Sequence, residues 1–353
     1  MKFSAIHAFV LAAFCVSISL SAQNKTTPLS TSYLENTIQH NRVYLNQGKV
    51  ADYIPELAKA NAQSMGIAIV SPEGVVYKAG DAQEKFTMQS ISKLIALMIA
   101  VEDWGEASVF ERVGYYGTNL PFNDFSHLET MPTPLNPMMN AGAIVTTAFI
   151  KGEGDTAYQR ILDRVRYITN NPTISMNEAV YLSEKETGHR NRGMFHILKN
   201  KELITKDEEA LNNYFKQCSI EINTEDLAKI AYFFANECTR FDGDTTYKNS
   251  DISELILSQM LTAGMYDYSG AYARKIGIPS KSGVGGGIIA SDPKSGYGIA
   301  VFSPALDTHG NSLIGSKMLE DLSKELGLSV FRKNSTPTLP RSTPKHHKQS
   351  ARK

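Results

Sequence analysis

Apolar positions fall into two regimes along the chain. Residues 65–81 (M-G-I-A-I-V-S-P-E-G-V-V-Y-K-A-G-D) place β-branched flanks around Ser71-Pro72-Glu73-Gly74, which predicts a hairpin. Residues 286–290 and 297–302, joined by S-D-P-K-S-G, predict a second hairpin near the other end. Between them, from residue 90 to about 262, apolar residues recur at mainly helical spacing. Leu227, Ile230, Ala231 and Phe234 share one helical face, with Thr224 predicted as its N-cap. The same period returns over residues 314–326. Strands from both ends and helices from the middle predict an α/β chain of the α+β kind. Its antiparallel sheet is built by both termini, flanked by helices, with an inserted helical lobe. A cleft between the lobes is a natural ligand site.

Composition adds limits. With 42% hydrophobic and 20% charged residues in 353, the chain is not a disordered one and can bury a sizeable core. The 36 basic and 36 acidic residues cancel unevenly. Residues 1–22 hold one basic residue and no acid, and residues 332–353 hold seven basic residues and no acid. Residues 23–331 therefore carry 28 basic against 36 acidic groups, a net charge of −8 that argues against nucleic acid as a partner. Residues 1–22 read as a secretory signal: Lys2, an apolar stretch over 5–20, and small residues before Gln23. His7 and several serines interrupt that stretch, which is short for the ~20 residues of a membrane span. No stable membrane insertion is expected after leader removal. The expected location is periplasmic or secreted, and cytoplasmic if the leader stays uncleaved. Residues 23–331 are expected to form one catalytic domain of two lobes. Residues 332–353, rich in Pro, Ser, Thr and Lys, form a basic tail with too few apolar side chains to fold.

Candidate chemistry concentrates in a few segments. Cys218 and Cys238 remain after the leader, with no C-x-x-C or H-E-x-x-H spacing, so no metal is expected. Cys218 falls on an apolar face with Leu211, Tyr214 and Phe215 and reads as core. Four S-x-x-K matches occur, at Ser90, Ser291, Ser342 and Ser350, and only Ser90 precedes a long apolar helix. That spacing sets Ser90 and Lys93 one turn apart. A serine hydroxyl needs a base to become a nucleophile, and a lysine serves only if burial makes its neutral form accessible. Lys281-Ser282-Gly283-Val284 before Gly285-Gly286-Gly287 supplies the K-[ST]-G partner that such serine enzymes use, although no S-D-N lies between the two. Asn136 and Asn140 flank a helix start, Glu184 and Asn191 stand seven apart, two helical turns if the segment stays helical, and Tyr266 lies in a Gly-flanked stretch. A carboxylate for an ammonium, with amides and a phenol for a carboxylate, suits a zwitterionic ligand. Taken singly, each segment reads better as a helix cap or a surface turn.

Taken together, V-A-D-Y-I-P (50–55), Q-S-I-S-K (89–93), N-P-M-M-N-A-G-A-I (136–144), S-E-K-E-T-G-H-R-N (183–191), Y-F-K-Q-C-S-I-E (214–221), G-M-Y-D-Y-S-G (264–270) and K-S-G-V-G-G-G (281–287) resemble the serine-dependent glutaminase family. The resemblance implies a β-lactamase/transpeptidase-like fold. It implies hydrolysis of L-glutamine to L-glutamate and ammonia through a Ser-Lys covalent acyl-enzyme. Ser90 would be the nucleophile and Lys93 its base, with Tyr266 sharing the proton traffic. Ligand contacts would fall on Tyr53, Ser90, Asn140, Glu184, Asn191, Tyr214, Tyr266 and the backbone of Val284. It further implies no cofactor and a homodimer or homotetramer. Two other readings stay open: a β-lactam-recognising serine enzyme, opposed by the missing S-D-N, and a non-catalytic amino-acid-binding protein, opposed by the intact Ser90/Lys93 pair.

Overall fold

The protein is described by a computed structural model over residues 29–333. The expected leader (1–22) and residues 334–353 of the basic tail lie outside the described residues. The first half runs α1 (Thr31–Asn41), β1 (Lys49–Val50), β2 (Gly66–Val70), β3 (Val76–Gly80), β4 (Phe86–Thr87), α2 (Ser92–Trp104), α3 (Glu106–Phe110), α4 (Asn140–Phe149), α5 (Thr156–Thr169) and α6 (Glu178–Thr187). The second runs α7 (His189–Asn200), α8 (Glu209–Cys218), β5 (Glu221–Ile222), α9 (Thr224–Ala235), α10 (Ser250–Ala263), α11 (Ser269–Lys275), β6 (Ser280–Ser282), β7 (Gly287–Asp292), β8 (Tyr297–Phe302), β9 (Ala305–Leu306) and α12 (Leu313–Glu325).

Both expected hairpins form, and they join into one antiparallel sheet of order β3-β2-β8-β7-β6. The register sets Gly66 opposite both Gly80 and Phe302, so strands from the two chain ends pair directly. All five residues of β2 are buried, as a strand covered on both faces must be. Ile67 and Ile69 face one side and join α1 and α12 through Leu34, Ile38, Leu319 and Leu322. Ala68 and Val70 face the other and join α9 through Leu227, Ala228 and Ala231. The helical lobe is built around α2, whose residues 92–101 are all buried, the mark of a helix packed on every side.

Three local expectations need correction. The N-cap of α9 is Asn223, whose side chain accepts from the Asp226 N–H, and Thr224 is the first helical residue. The segment from Glu184 to Asn191 is not one helix: it breaks at Gly188 between α6 and α7. Ser90 does not open α2 but lies in a 3₁₀ turn, Gln89–Ile91, that leads into it.

The glycine run between β6 and β7 lies directly on that turn. A Cβ at Gly283 would stand 2.5 Å from the Met88 carbonyl oxygen, and one at Gly285 would stand 2.6 Å from that of Thr87. Backbone carbonyls cannot rotate away, so any larger residue must lift the strand end off the turn. Gly283→Ala and Gly285→Ala are each expected to cost about 1–3 kcal/mol by overpacking. A calorimetric unfolding scan reads this as a lowered midpoint, and an unshifted midpoint would show that the approach is not a constraint.

Candidate active site

Ser90 sits where sheet and helical lobe meet. Met88, just ahead of the turn, donates its N–H to the Ile220 carbonyl at 2.8 Å, which ties the turn to β5. Gln89 is buried and held at φ +48°, a left-handed conformation unusual for a side chain of its size. The turn is closed by Ser92 Oγ donating to the Gln89 carbonyl at 2.8 Å, and α2 has no side-chain cap. The Ser90 hydroxyl is thus not committed to capping. It opens on a cavity of about 360 Å³ lined by Tyr53, Ser90, Asn140, Glu184, Asn191, Tyr214 and Val284, with Gln89, Phe122 and Cys218 among the other walls. Tyr266 lies beside Ser90, its hydroxyl donating to the Ser282 carbonyl at 3.0 Å. Seven of the eight expected ligand contacts therefore line one space, while Tyr266 and Lys93 are not among its lining residues and reach it through their neighbours Ser90 and Asn140.

Lys93 is 1% exposed. Its Nζ donates to the Met138 carbonyl at 2.9 Å and to Asn140 Oδ1 at 2.7 Å. Both partners are acceptors, and a neutral amine has two N–H groups, so these contacts satisfy the neutral form and leave its lone pair free. Burial holds its pKa down to about 8, with Cys218 and Glu184 opposing the shift. Among the described residues, no hydrogen bond joins Lys93 to Ser90. Asn140 passes the constraint on: its Nδ2 donates to Asn191 Oδ1 at 3.0 Å, which leaves the Asn191 amide N–H groups for the cavity. Asn136, the other amide of that segment, is structural. Its Oδ1 accepts from the Met138 and Met139 N–H groups, and its Nδ2 donates to the Tyr116 carbonyl.

Glu184 is buried at the end of α6, and its Oε2 has no hydrogen-bond partner. Burial pushes its pKa up to about 8, with the Gln89 amide and the Lys93 charge opposing. A buried oxygen without a donor marks a missing partner. Tyr53 is half exposed across its ring, while its hydroxyl is deep enough among Tyr266, Glu184 and Cys218 for burial to raise its pKa. Burial also raises the Tyr214 and Tyr266 phenols and the Cys218 thiol, so all three stay protonated. Cys218 was expected in the core and is buried in α8, yet it also forms part of the cavity wall. Among the described residues, the N–H groups of Ser90 and Val284 donate to no protein acceptor. Among the same residues, no group of three His, Cys, Asp or Glu side chains could hold a metal, and no helix is long and apolar enough to cross a membrane.

Sequence reasoning named Lys281 only as part of the K-S-G motif and gave it no role of its own. It is fully buried in β6, with Nζ donating to the Ser282 carbonyl at 2.6 Å and standing 4.3 Å over the Tyr266 ring. Burial and the charge of Lys93 hold its pKa well below the usual lysine range. The K-S-G motif was the available signal; what it did not carry was the depth of the lysine behind Tyr266. Phe122 was also missed, because it comes from the irregular stretch ahead of α4, where no periodicity points inward.

The profile of the glutaminase family matches residues 48–331. The chain belongs to this family. Glutaminase 2 of Clostridium perfringens is 47% identical over 305 residues, covering 85% of this chain and 99% of that protein. The glutaminase of Clostridium tetani is 47% identical over 304 residues, with the same coverage. A solved structure named "Probable glutaminase from Bacillus subtilis" superimposes with a TM-score of 0.78 at 34% identity, covering 86% of this chain and 97% of the other. The architecture is the β-lactamase-like one of the family's solved structures, and the chain is a glutamine-hydrolysing enzyme. Neither a β-lactam-recognising enzyme nor a plain binding protein is favoured.

A glutaminase with this cavity has two groups titrating near the same pH. Lys93 is held down to about 8 and Glu184 pushed up to about 8, and the two sense each other, so the apparent values belong to the pair. In the roles expected from the family resemblance, Lys93 must lose its proton to act as a base and Glu184 must ionise to hold a cation. The specificity constant for glutamine is therefore expected to rise steeply toward pH about 8 and level off above it. A pH–rate profile that is flat from about pH 6 to 8 would show that neither ionisation limits the reaction.

Proposed function

We propose that this glutaminase works through a Ser90–Lys93 acyl-enzyme in the cavity described above. The observation that carries the reading is the bonding of Lys93: a buried amine whose two contacts are both acceptors, one helical turn from a serine that caps nothing. Neutral Lys93 takes the Ser90 proton as Oγ attacks the side-chain amide carbon of glutamine. The uncommitted N–H groups of Ser90 and Val284 hold the oxyanion. The tetrahedral intermediate collapses, breaking the C–N bond, and ammonia leaves with a proton supplied by Lys93 or Tyr266. Water, deprotonated along the same route, then cleaves the γ-glutamyl ester and restores the Ser90 hydroxyl. The missing direct Ser90–Lys93 hydrogen bond is no obstacle, because catalytic contacts often tighten only when substrate is bound.

At the far end of the substrate, the unpartnered Glu184 oxygen takes the α-ammonium, while Asn191 Nδ2 and the Tyr53 and Tyr214 phenols supply donors for the α-carboxylate. Asn140 acts from behind by holding Lys93 and Asn191 at once. The Bacillus subtilis relative's structure is described as a complex with 6-diazo-5-oxo-L-norleucine, an amino acid bearing a reactive diazo ketone, which supports an amino-acid site of this kind. The leader-like residues 1–22 support export to the periplasm or beyond, and the family resemblance supports a homodimer or homotetramer.

Ser90→Ala should abolish turnover while leaving the circular dichroism spectrum unchanged; activity within tenfold of wild type would remove Ser90 as nucleophile. Lys93→Arg should be nearly as damaging as Lys93→Ala, since a guanidinium stays protonated and accepts no proton. An active arginine variant would reduce Lys93 to a fixed positive charge.

Glu184→Gln keeps shape and removes charge. A charge-assisted contact is worth roughly 1.5–3 kcal/mol, so the specificity constant for glutamine should fall on the order of ten- to a hundredfold. N-acetylglutamine, which lacks the ammonium, should be poor for wild type and lose much less on mutation. Equal fractional losses for both substrates would show that Glu184 does not touch the ammonium.

A further inference from the structure

Tyr266 is held by strain as well as by contacts. It occupies the left-handed region at φ +58° in a short 3₁₀ turn, Tyr266–Tyr268. Within its own segment, Ser269 Oγ accepts from the Met265 N–H at 3.0 Å and donates to the Tyr266 carbonyl at 2.8 Å. That closes the turn on itself but does not fix it relative to the rest of the site. A non-glycine residue in this region needs its surroundings to hold it there.

The outer face of the turn is covered by residues 307–310, between β9 and α12. That loop is internally fixed. Asp307 Oδ1 accepts from the His309 N–H at 2.9 Å and the Asn311 N–H at 3.0 Å, and the Gly310 N–H donates to the Asp307 carbonyl at 3.1 Å. From it, His309 reaches across to both residues that follow Tyr266. Its Nδ1 lies 3.0 Å from Asp267 Oδ2, and its ring stacks on Tyr268 with centroids 4.8 Å apart and planes 24° apart. Next along the loop, Gly310 approaches the Tyr266 ring itself: a Cβ there would stand 3.8 Å from a ring carbon.

We infer that His309 is a positioning residue: gripping Asp267 and Tyr268, it fixes the strained turn so that the Tyr266 hydroxyl stays beside Ser90. The inference rests on the proposed role of Tyr266 in proton transfer. The contact is half-buried, and such side-chain pairs add little to global stability. Its effect should therefore show in turnover rather than in unfolding. The proposed ammonium and carboxylate contacts, Glu184, Asn191, Tyr53 and Tyr214, are untouched, so KM should hold while kcat falls. Two features of the imidazole are separable. Glutamine in its place keeps an N–H donor for Asp267, and phenylalanine keeps the stack on Tyr268 without a donor.

The test is steady-state glutamine hydrolysis by the full chain carrying His309→Ala, His309→Gln, His309→Phe, Tyr266→Phe, or Tyr266→Phe with His309→Ala. His309→Ala is expected to lower kcat roughly three- to tenfold, with KM and the unfolding midpoint nearly unchanged. His309→Gln should restore kcat more fully than His309→Phe. In the Tyr266→Phe background, His309→Ala should change kcat by less than about twofold, because both act through one hydroxyl. A wild-type kcat for His309→Ala beside an impaired Tyr266→Phe overturns the positioning role and leaves Tyr266 in place. An equal loss from His309→Ala in both backgrounds also overturns it, since the effect then does not pass through Tyr266. A wild-type kcat for Tyr266→Phe overturns the role of Tyr266 itself, and the inference with it. A loss of kcat accompanied by a large fall in midpoint, unrescued by His309→Gln, marks a plain structural role and counts against the inference.

Discussion

A lysine with almost no exposed surface, bonded only to carbonyl oxygens, is the constraint on which the rest of the site depends. Desolvating an ammonium costs several kcal/mol even after the protein relaxes, so burial alone drives Lys93 toward its neutral form. The Met138 carbonyl and Asn140 Oδ1 receive the two N–H groups of that form and offer nothing to a third. This choice fixes the Asn140 amide, which in turn fixes the orientation of Asn191. Three elements, α2, α4 and α7, are thereby registered on one amine. The same space holds a second buried lysine, Lys281, and one carboxyl, Glu184. The burial of each disfavours its charged form, and the charge of Lys93 further disfavours that of Lys281. Near neutral pH Lys93, held to about 8, keeps its proton while Glu184, pushed up to about 8, is largely neutral, so the carboxyl is free to ionise for a cationic ligand instead of being tied in a salt bridge.

Strain marks the same place. Gln89 before Ser90 and Tyr266 beside it both have positive φ, and neither is a glycine. Such conformations cost on the order of 1–3 kcal/mol each and persist only where surrounding structure over-determines them. Here the surroundings are identifiable. The 3₁₀ turn is pinned by β5 on one side and by the glycine run of β6–β7 on the other. The Tyr266 turn is pinned by Ser282 from within and by the 307–310 loop from outside. The sheet from the chain ends and the helices from the chain middle meet at these points as well as along α9, so the site is built on the same junction that holds the fold together.

That division explains what could be read from the sequence. The hairpins were legible because period-2 apolar runs bounded by turn residues are local signals. S-x-x-K and K-S-G were legible because their chemistry depends on short spacings. The break at Gly188 was not, because Glu184 and Asn191 fit a two-turn spacing whether or not the helix continues. The Asn223 cap was displaced by one residue, since Asn and Thr are both good caps and only geometry separates them. The depth of Lys281, the twisted backbone of Gln89 and the double role of Cys218 as core and cavity wall depend on contacts across the chain. No local pattern encodes those. Most of the ligand-facing residues were named through family resemblance; their individual spacings alone favoured caps and turns.

The charge arrangement also links recognition to activation. In the empty cavity Glu184 has an orphaned oxygen and a raised pKa, so its carboxyl is largely protonated near neutral pH. An incoming α-ammonium reverses that: an opposite charge at contact distance favours the carboxylate, and the proton must leave. The positive partner of Glu184 is then the substrate. Lys93 gains no lasting support from that ionisation, because the new carboxylate is neutralised by the substrate cation. On the proposed roles, binding an amino acid rather than a simple amide thus ionises Glu184 without holding a proton on Lys93. The group that selects the substrate and the group that activates the nucleophile share one electrostatic balance, although no hydrogen bond joins them.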